Sequence, residues 1–142
     1  MKLAIACDHA GYALKEELIR AFPEYEFMDF GTYDSQSMDY PDTGFAAARA
    51  IAEGVCEKGI LICGSGIGMS ITANKVPGIR AALAWNTDIA RLSRRHNDAN
   101  ILVLPARFIA APYASEILKA WLQTAFEGGR HQIRIDKIHQ GE

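Results

Sequence analysis

A chain of 142 residues and 15.6 kDa with 49% hydrophobic residues is long enough to bury a core as one domain, residues 1–142, without help from disulfides or metal. Its net charge of −2 and pI near 6.1 exclude a general nucleic-acid or membrane-surface binder, whose basic footprint would show in the overall balance. Cys7, Cys56 and Cys63 are odd in number and lack the spacing of a zinc site or disulfide framework, and no segment approaches the roughly 18 apolar residues of a membrane span, so a reducing, cytoplasmic setting is expected.

The first predicted strand is Lys2 to Cys7, an apolar run too brief for a signal-peptide core. A helix follows over Tyr12 to Phe22, with Leu14, Leu18, Ile19 and Phe22 on one stripe and Pro23 ending it. Tyr25 to Phe30 reads as the second strand, and Asp42 to Glu57 as the next helix with Asp42 or Thr43 as its N-cap. Gly59 to Cys63 is the third strand, and a helix opens from Gly66. Arg80 to Trp85 and Asn100 to Leu104 complete five strands, separated by a helix from about Asn86 to His96. Pro112 to Phe126 carries Ile117, Leu118, Trp121 and Leu122 inward, and Gly128-Gly129 precedes a last helix, His131 to His139.

Strands alternating with amphipathic helices specify an α/β fold: a five-stranded parallel, Rossmann-like sheet in three α/β/α layers. Continuous apolar strands such as Ile101-Leu102-Val103-Leu104 fit burial on both faces. Ligands of such sheets gather beyond the carboxyl ends of the strands. That edge collects Asp8-His9, Gly31 to Asp42, Ser65 to Gly68 and Pro105-Ala106-Arg107.

The segment Cys63-Gly64-Ser65-Gly66-Ile67-Gly68 places a thiol at a strand tip beside backbone amides that can receive an anion. It has neither the spacing of a dinucleotide fingerprint nor the Gly-Lys-Ser/Thr of a P-loop. On the bland reading, the glycines only permit a tight strand-to-helix turn. The position next to a helix start favours the Cys63 thiolate and suits proton abstraction from carbon; Cys7 is its rival at another strand end. His96 in Arg94-Arg95-His96-Asn97-Asp98 can shuttle protons near neutrality, with Asp98 available to fix its tautomer, although helix capping also explains the cluster. Arg130 and Arg134, four residues apart, can face one phosphate, and the glycine pair before them gives freedom to fold back over a site. Arg107 is a further candidate for phosphate or hydroxyl contact. His9, Cys63 and His96 as a metal set lack any ligand-spacing signature.

Taken in order, Cys7-Asp8-His9-Ala10-Gly11, Asp39-Tyr40-Pro41, Ile62 to Gly68, Asn74-Lys75, Leu92 to Asn100 and Glu127 to His131 cover almost the whole chain. The chain thereby resembles the B-type ribose-5-phosphate isomerases, in the family that also holds galactose-6-phosphate and allose-6-phosphate isomerases. The resemblance implies metal-independent aldose–ketose isomerisation of a sugar phosphate, without cofactor, in homodimers or tetramers whose active sites lie at a subunit interface. It makes Cys63 the base between C2 and C1, His96 the ring-opening acid/base, and Ser65 a hydroxyl supporting the enediolate. It further makes Asp8, His9, Gly64, Ser65, Gly66, Ile67, Gly68 and Asn97 substrate contacts, and Arg107, Arg130 and Arg134 holders of sugar and phosphate. Met69 stands where some members carry a glutamate base, which marks the cysteine type. Ribose 5-phosphate, in pentose phosphate metabolism, is the expected substrate; a six-carbon 6-phosphate or a non-catalytic sugar-phosphate sensor are the alternatives.

Overall fold

In the computed structural model, which describes residues 1–142, five parallel strands form one sheet: β1 Lys2–Cys7, β2 Glu26–Asp29, β3 Lys58–Cys63, β4 Ala81–Leu83 and β5 Ile101–Pro105. Their spatial order is β2-β1-β3-β5-β4. The helices are α1 Tyr12–Ala21, α2 Tyr40–Ala52, α3 Ile67–Ala73, α4 Thr87–Asn97, α5 Ala111–Gln123 and α6 Arg130–Gln140, with a 3₁₀ turn at His9–Gly11. None is long and apolar enough to cross a membrane.

The strands alternate between two cores, as the pleat requires. Leu3, Ile5, Ile60, Ile62, Leu102 and Leu104 pack with Leu14 and Leu18 of α1, Ala90 of α4 and Ile117, Leu118 and Trp121 of α5. Ala4, Ala6, Leu61, Cys63, Ile101 and Val103 face Ala47, Ala48 and Ile51 of α2 with Met69 and Ala73 of α3. The three layers are therefore α1/α4/α5, the sheet, and α2/α3. Helix α6 lies outside them against α4.

The predicted strands are all present, with ends displaced by a residue or two and the edge strand β4 trimmed so that Trp85 is exposed. The start of α2 corrects the expected cap at Asp42 or Thr43: the helix begins at Tyr40 because Pro41, at its first turn, presets the helical φ. The Thr43 hydroxyl donates to the carbonyls of Cys7 (2.9 Å) and Tyr40 (3.3 Å), pinning α2 to the end of β1. The same helix stops at Ala52, short of Glu57, where the amides of Val55 and Cys56 both turn back to the Ala50 carbonyl. Likewise α5 ends at Gln123, short of Phe126, as Thr124 turns extended and its hydroxyl donates to the Ala120 carbonyl. Asn86 caps α4, its side chain accepting from the Ile89 amide at 2.8 Å.

The loop after β2 is tethered by Lys15, whose side chain is 0% exposed. Its ammonium donates to both Asp29 oxygens at 2.8 Å and to the Thr32 carbonyl at 2.6 Å, beneath the Tyr12 and Tyr33 rings. Removing one member of a buried ion pair typically costs 3–5 kcal/mol; Asp29 keeps some access to water, so Lys15→Ala is expected at the low end, about 3 kcal/mol. A fall in the urea midpoint of unfolding at unchanged slope is the measurement.

Candidate active site

In the sheet order, β1 and β3 are neighbours from which the chain departs in opposite directions, and ligand crevices of open α/β sheets form at such a switch. At the carboxyl ends of these strands lies an open cleft of about 610 Å³ lined by Asp8, Tyr40, Cys63, Ser65, Arg107 and Phe108, among others. The sequence thus places Asp8, Cys63, Gly64, Ser65, Ile67, Gly68 and Arg107 together here.

The glycine loop is built for close approach. Gly66 caps α3 at φ +78°, a left-handed conformation that disfavours side chains, and a Cβ there would collide with Leu83. At Gly68 a Cβ would stand 2.5 Å from the Tyr40 ring, so only glycine lets that ring form the cleft wall. The Ser65 hydroxyl accepts the Ile67 amide at 3.2 Å and keeps its own proton free to donate. The amides of Ser65, Gly66 and Gly68 donate to no acceptor within the chain. Arg107 is drawn over the loop by its own amide, which donates to the Gly64 carbonyl at 3.0 Å, while the Ala106 amide donates to that of Cys63 at 2.9 Å.

Asp8 is buried, with Oδ1 accepting the Gly11 amide at 3.1 Å, which fixes the carboxylate at the cleft floor. His9 lies on the same edge but outside the cleft lining; its Nδ1 accepts the Met38 amide at 3.3 Å, leaving Nε2 as the protonated nitrogen of the neutral ring. Cys7, the rival thiol, is fully buried, and burial pushes it up from 9.0 to about 11, outweighing the opposing pull of Lys15. Its thiolate is suppressed, which removes it as a base. An acid with a raised folded pKa stabilises fully below its unfolded value and less as pH rises through the folded one. Cys7 should therefore contribute a loss of stability between pH 9 and about 11, seen as a falling urea midpoint that Cys7→Ala lacks.

The remaining predicted residues lie elsewhere. Helix α4 leaves the carboxyl edge after β4 and returns over 11 residues, about 16 Å, to the opposite edge, where the Asn100 carbonyl accepts the Gly59 amide at the start of β3. His96 and Asn97, ending α4, thus sit at the amino edge, across the sheet from Cys63. Arg130 and Arg134 stand exposed on α6 against that end of α4 rather than folded back over the glycine loop. The reading of Asp98 as the partner of His96 is also corrected: Asp98 is held by the buried Arg94 (2.8 Å) and by Arg80 (3.6 Å). Arg94 further donates to the carbonyls of Ala99 and Thr124, and this clamp spends the carboxylate.

His9, Cys63 and His96 do not converge on a metal position. The one group of possible metal ligands within 4.8 Å of each other is His96, Glu127 and His131. The two rings are stacked at an interplanar angle of 13°, and parallel imidazoles cannot both direct in-plane lone pairs at one ion, so the arrangement does not fit a metal as it stands.

Sequence reasoning missed Tyr40, Ile71 and Phe108 as cleft walls and His131 as the neighbour of His96. Tyr40 carried a signal: Pro41 places it at a helix start on the carboxyl edge.

The family model for Ribose/Galactose Isomerase matches residues 3–138. Ribose-5-phosphate isomerase B of Escherichia coli (strain K12) is 45% identical, across 96% of this chain and 93% of its own length. Ribose-5-P isomerase B of Listeria innocua is 42% identical across 99% and 96%. Among solved structures, ribose-5-phosphate isomerase B of Clostridium thermocellum superposes with a TM-score of 0.97 at 50% identity, covering 99% of this chain and 96% of that one. The Mycoplasma genitalium ribose-5-phosphate isomerase B, solved with bound ribulose-5-phosphate, gives 0.94 at 39% identity, covering 99% and 95%. With fold, glycine loop and sequence in agreement over nearly its full length, the chain belongs to the ribose/galactose isomerase family.

Proposed function

We propose that the protein interconverts ribose 5-phosphate and ribulose 5-phosphate through an enediolate. The observation that carries this is Cys63 at the tip of β3 in one cleft with the unpaired amides of Ser65, Gly66 and Gly68. Cys63 as thiolate removes the C2 proton; the amides and the Ser65 hydroxyl meet the charge that develops on the oxygens, between which the O2 proton passes to O1; the Cys63 thiol, after exchange with water, delivers a proton to C1. An oxyanion donor of this kind is typically worth about 2.7–4 kcal/mol in the transition state. Asp8 and Arg107 orient sugar hydroxyls at the cleft floor and rim. A reduced Cys63 is required, in keeping with three free cysteines and a cytoplasmic role in pentose phosphate metabolism.

His96 opens the sugar ring, and Arg130 with Arg134 holds the phosphate. Since these stand across the sheet from Cys63, a second copy supplies them, and the complete site forms between two subunits. This homodimer reading is supported by the placement of the two half-sites and by the apolar residues exposed around the cleft, Ile67, Ile71 and Phe108.

Incubation with ribose 5-phosphate in D₂O is expected to give ribulose 5-phosphate carrying solvent deuterium at C1. Binding without turnover would instead identify a sugar-phosphate sensor. Allose and galactose 6-phosphates in the same assay measure the six-carbon alternative, and the five-carbon sugar is expected to be preferred.

A further inference from the structure

His96 makes no hydrogen bond through its ring within the chain, and Asp98, the nearest carboxylate in sequence, is engaged by Arg94 and Arg80. What the ring touches instead is His131: the centroids are 4.3 Å apart and the planes 13° from parallel. His131 is 9% exposed and belongs to the first turn of α6. The approach is fixed from both sides of the glycine pair, because the Glu127 amide donates to the Arg95 carbonyl at 3.1 Å and the His131 amide to that of Gly128 at 3.2 Å.

We propose that His131 is a positioning residue for His96, holding its ring by stacking where other proton-transfer histidines are held by a carboxylate. The proposal rests on the reading of His96 as the ring-opening group. A proton donor with free ring rotation spends most of its time misaligned, and a stacked neighbour removes that freedom. Two imidazolium ions at this distance repel, so a charge on His96 opposes one on His131. The charged groups acting on His131 are Glu127 before α6 and Arg130 and Arg134 on α6. Burial first, then His96 and Arg130, hold His131 below the ordinary histidine value; Glu127, 3.9 Å from its Nε2, opposes them without prevailing.

The test compares His131→Ala with His131→Phe, each first checked for native urea midpoint. On ribose 5-phosphate, the alanine variant is expected to lose kcat about tenfold or more, within the range of a positioned acid, with KM little changed. Phenylalanine, which keeps a flat ring, is expected to restore most of the loss. A four-carbon aldose 4-phosphate, unable to close a furanose ring, should show neither effect. Equal losses in the two variants, or a loss confined to KM, would overturn stacking and indicate direct phosphate contact.

Proton coupling is read apart from catalysis by following the His131 ring signal in NMR. Its titration is expected to move up in His96→Phe, and an unmoved titration overturns the coupling. His96→Asn with full activity on cyclic sugar removes the ring-opening reading and the catalytic consequence together. An impaired His96→Asn alongside equal His131 variants removes the proposal alone.

Discussion

Cys63→Ala is expected to lower kcat/KM on ribose 5-phosphate by about 10²–10⁴-fold, the usual contribution of a positioned acid or base, and to abolish deuterium exchange at the carbon beside the carbonyl. The expectation follows from what else the cleft contains. Asp8 is committed to the Gly11 amide through one oxygen, Cys7 is buried with its proton held, and Met69 offers no base at all. Asp8 is the one other carboxylate in the cleft, and the proposal gives its free oxygen to the sugar hydroxyls. The substrate KM should change little, since Arg107, the amides and the phosphate contacts are untouched. Retained exchange in the alanine variant would require a different base and would sink this assignment. Cys63→Ser gives a finer control: a hydroxyl in the same place is a far weaker base, so shape is preserved while activity is not.

Mixing two inactive variants should restore activity. If Cys63 of one subunit works with His96 of the other, a mixed dimer of Cys63→Ala and His96→Asn contains one site with both defects and one with neither. Random exchange makes half of the dimers mixed, so the recovered rate is about a quarter of the wild type per site. Each variant alone stays inactive on the cyclic sugar. The measurement is a rate regained over time after subunit exchange in mild urea, with a tagged chain to count the mixed species. Mixed dimers that form and remain inactive would mean that Cys63 and His96 do not share a site across subunits. The expectation rests on α4 carrying His96 back to the amino edge of the sheet while β3 delivers Cys63 to the carboxyl edge.

Much of this was legible in the residues. Ile101 to Leu104 reads as a strand covered on both sides, and its neighbours show the alternation in which odd and even positions enter separate cores. The rule that parallel sheets bind ligands at their carboxyl ends gathered Asp8, Ser65 to Gly68 and Arg107 before any coordinate did. The separation of His96 from Cys63 was also implicit: a helix following a parallel strand must return to the starting edge, so its last residues cannot share an edge with a strand tip. Asp98 was misread because two adjacent arginines look alike in sequence. Only packing distinguishes Arg94, buried beside Trp121, from exposed Arg95, and it is the buried one that claims the carboxylate. Tyr40 escaped because Asp42 and Thr43 are also good cap residues; Pro41 moves the helix start by two positions and swings the ring onto Gly68.

If the proposed site is divided between the two edges of one sheet, turnover is tied to association. A lone chain would own a base without a ring-opener and a phosphate clamp without a base, so specific activity should fall on dilution and recover on concentration. Substitutions on the outer faces of Ile71 or Phe108 would then register as enzymatic defects although they touch no reacting atom, and raising the protein concentration would cure them.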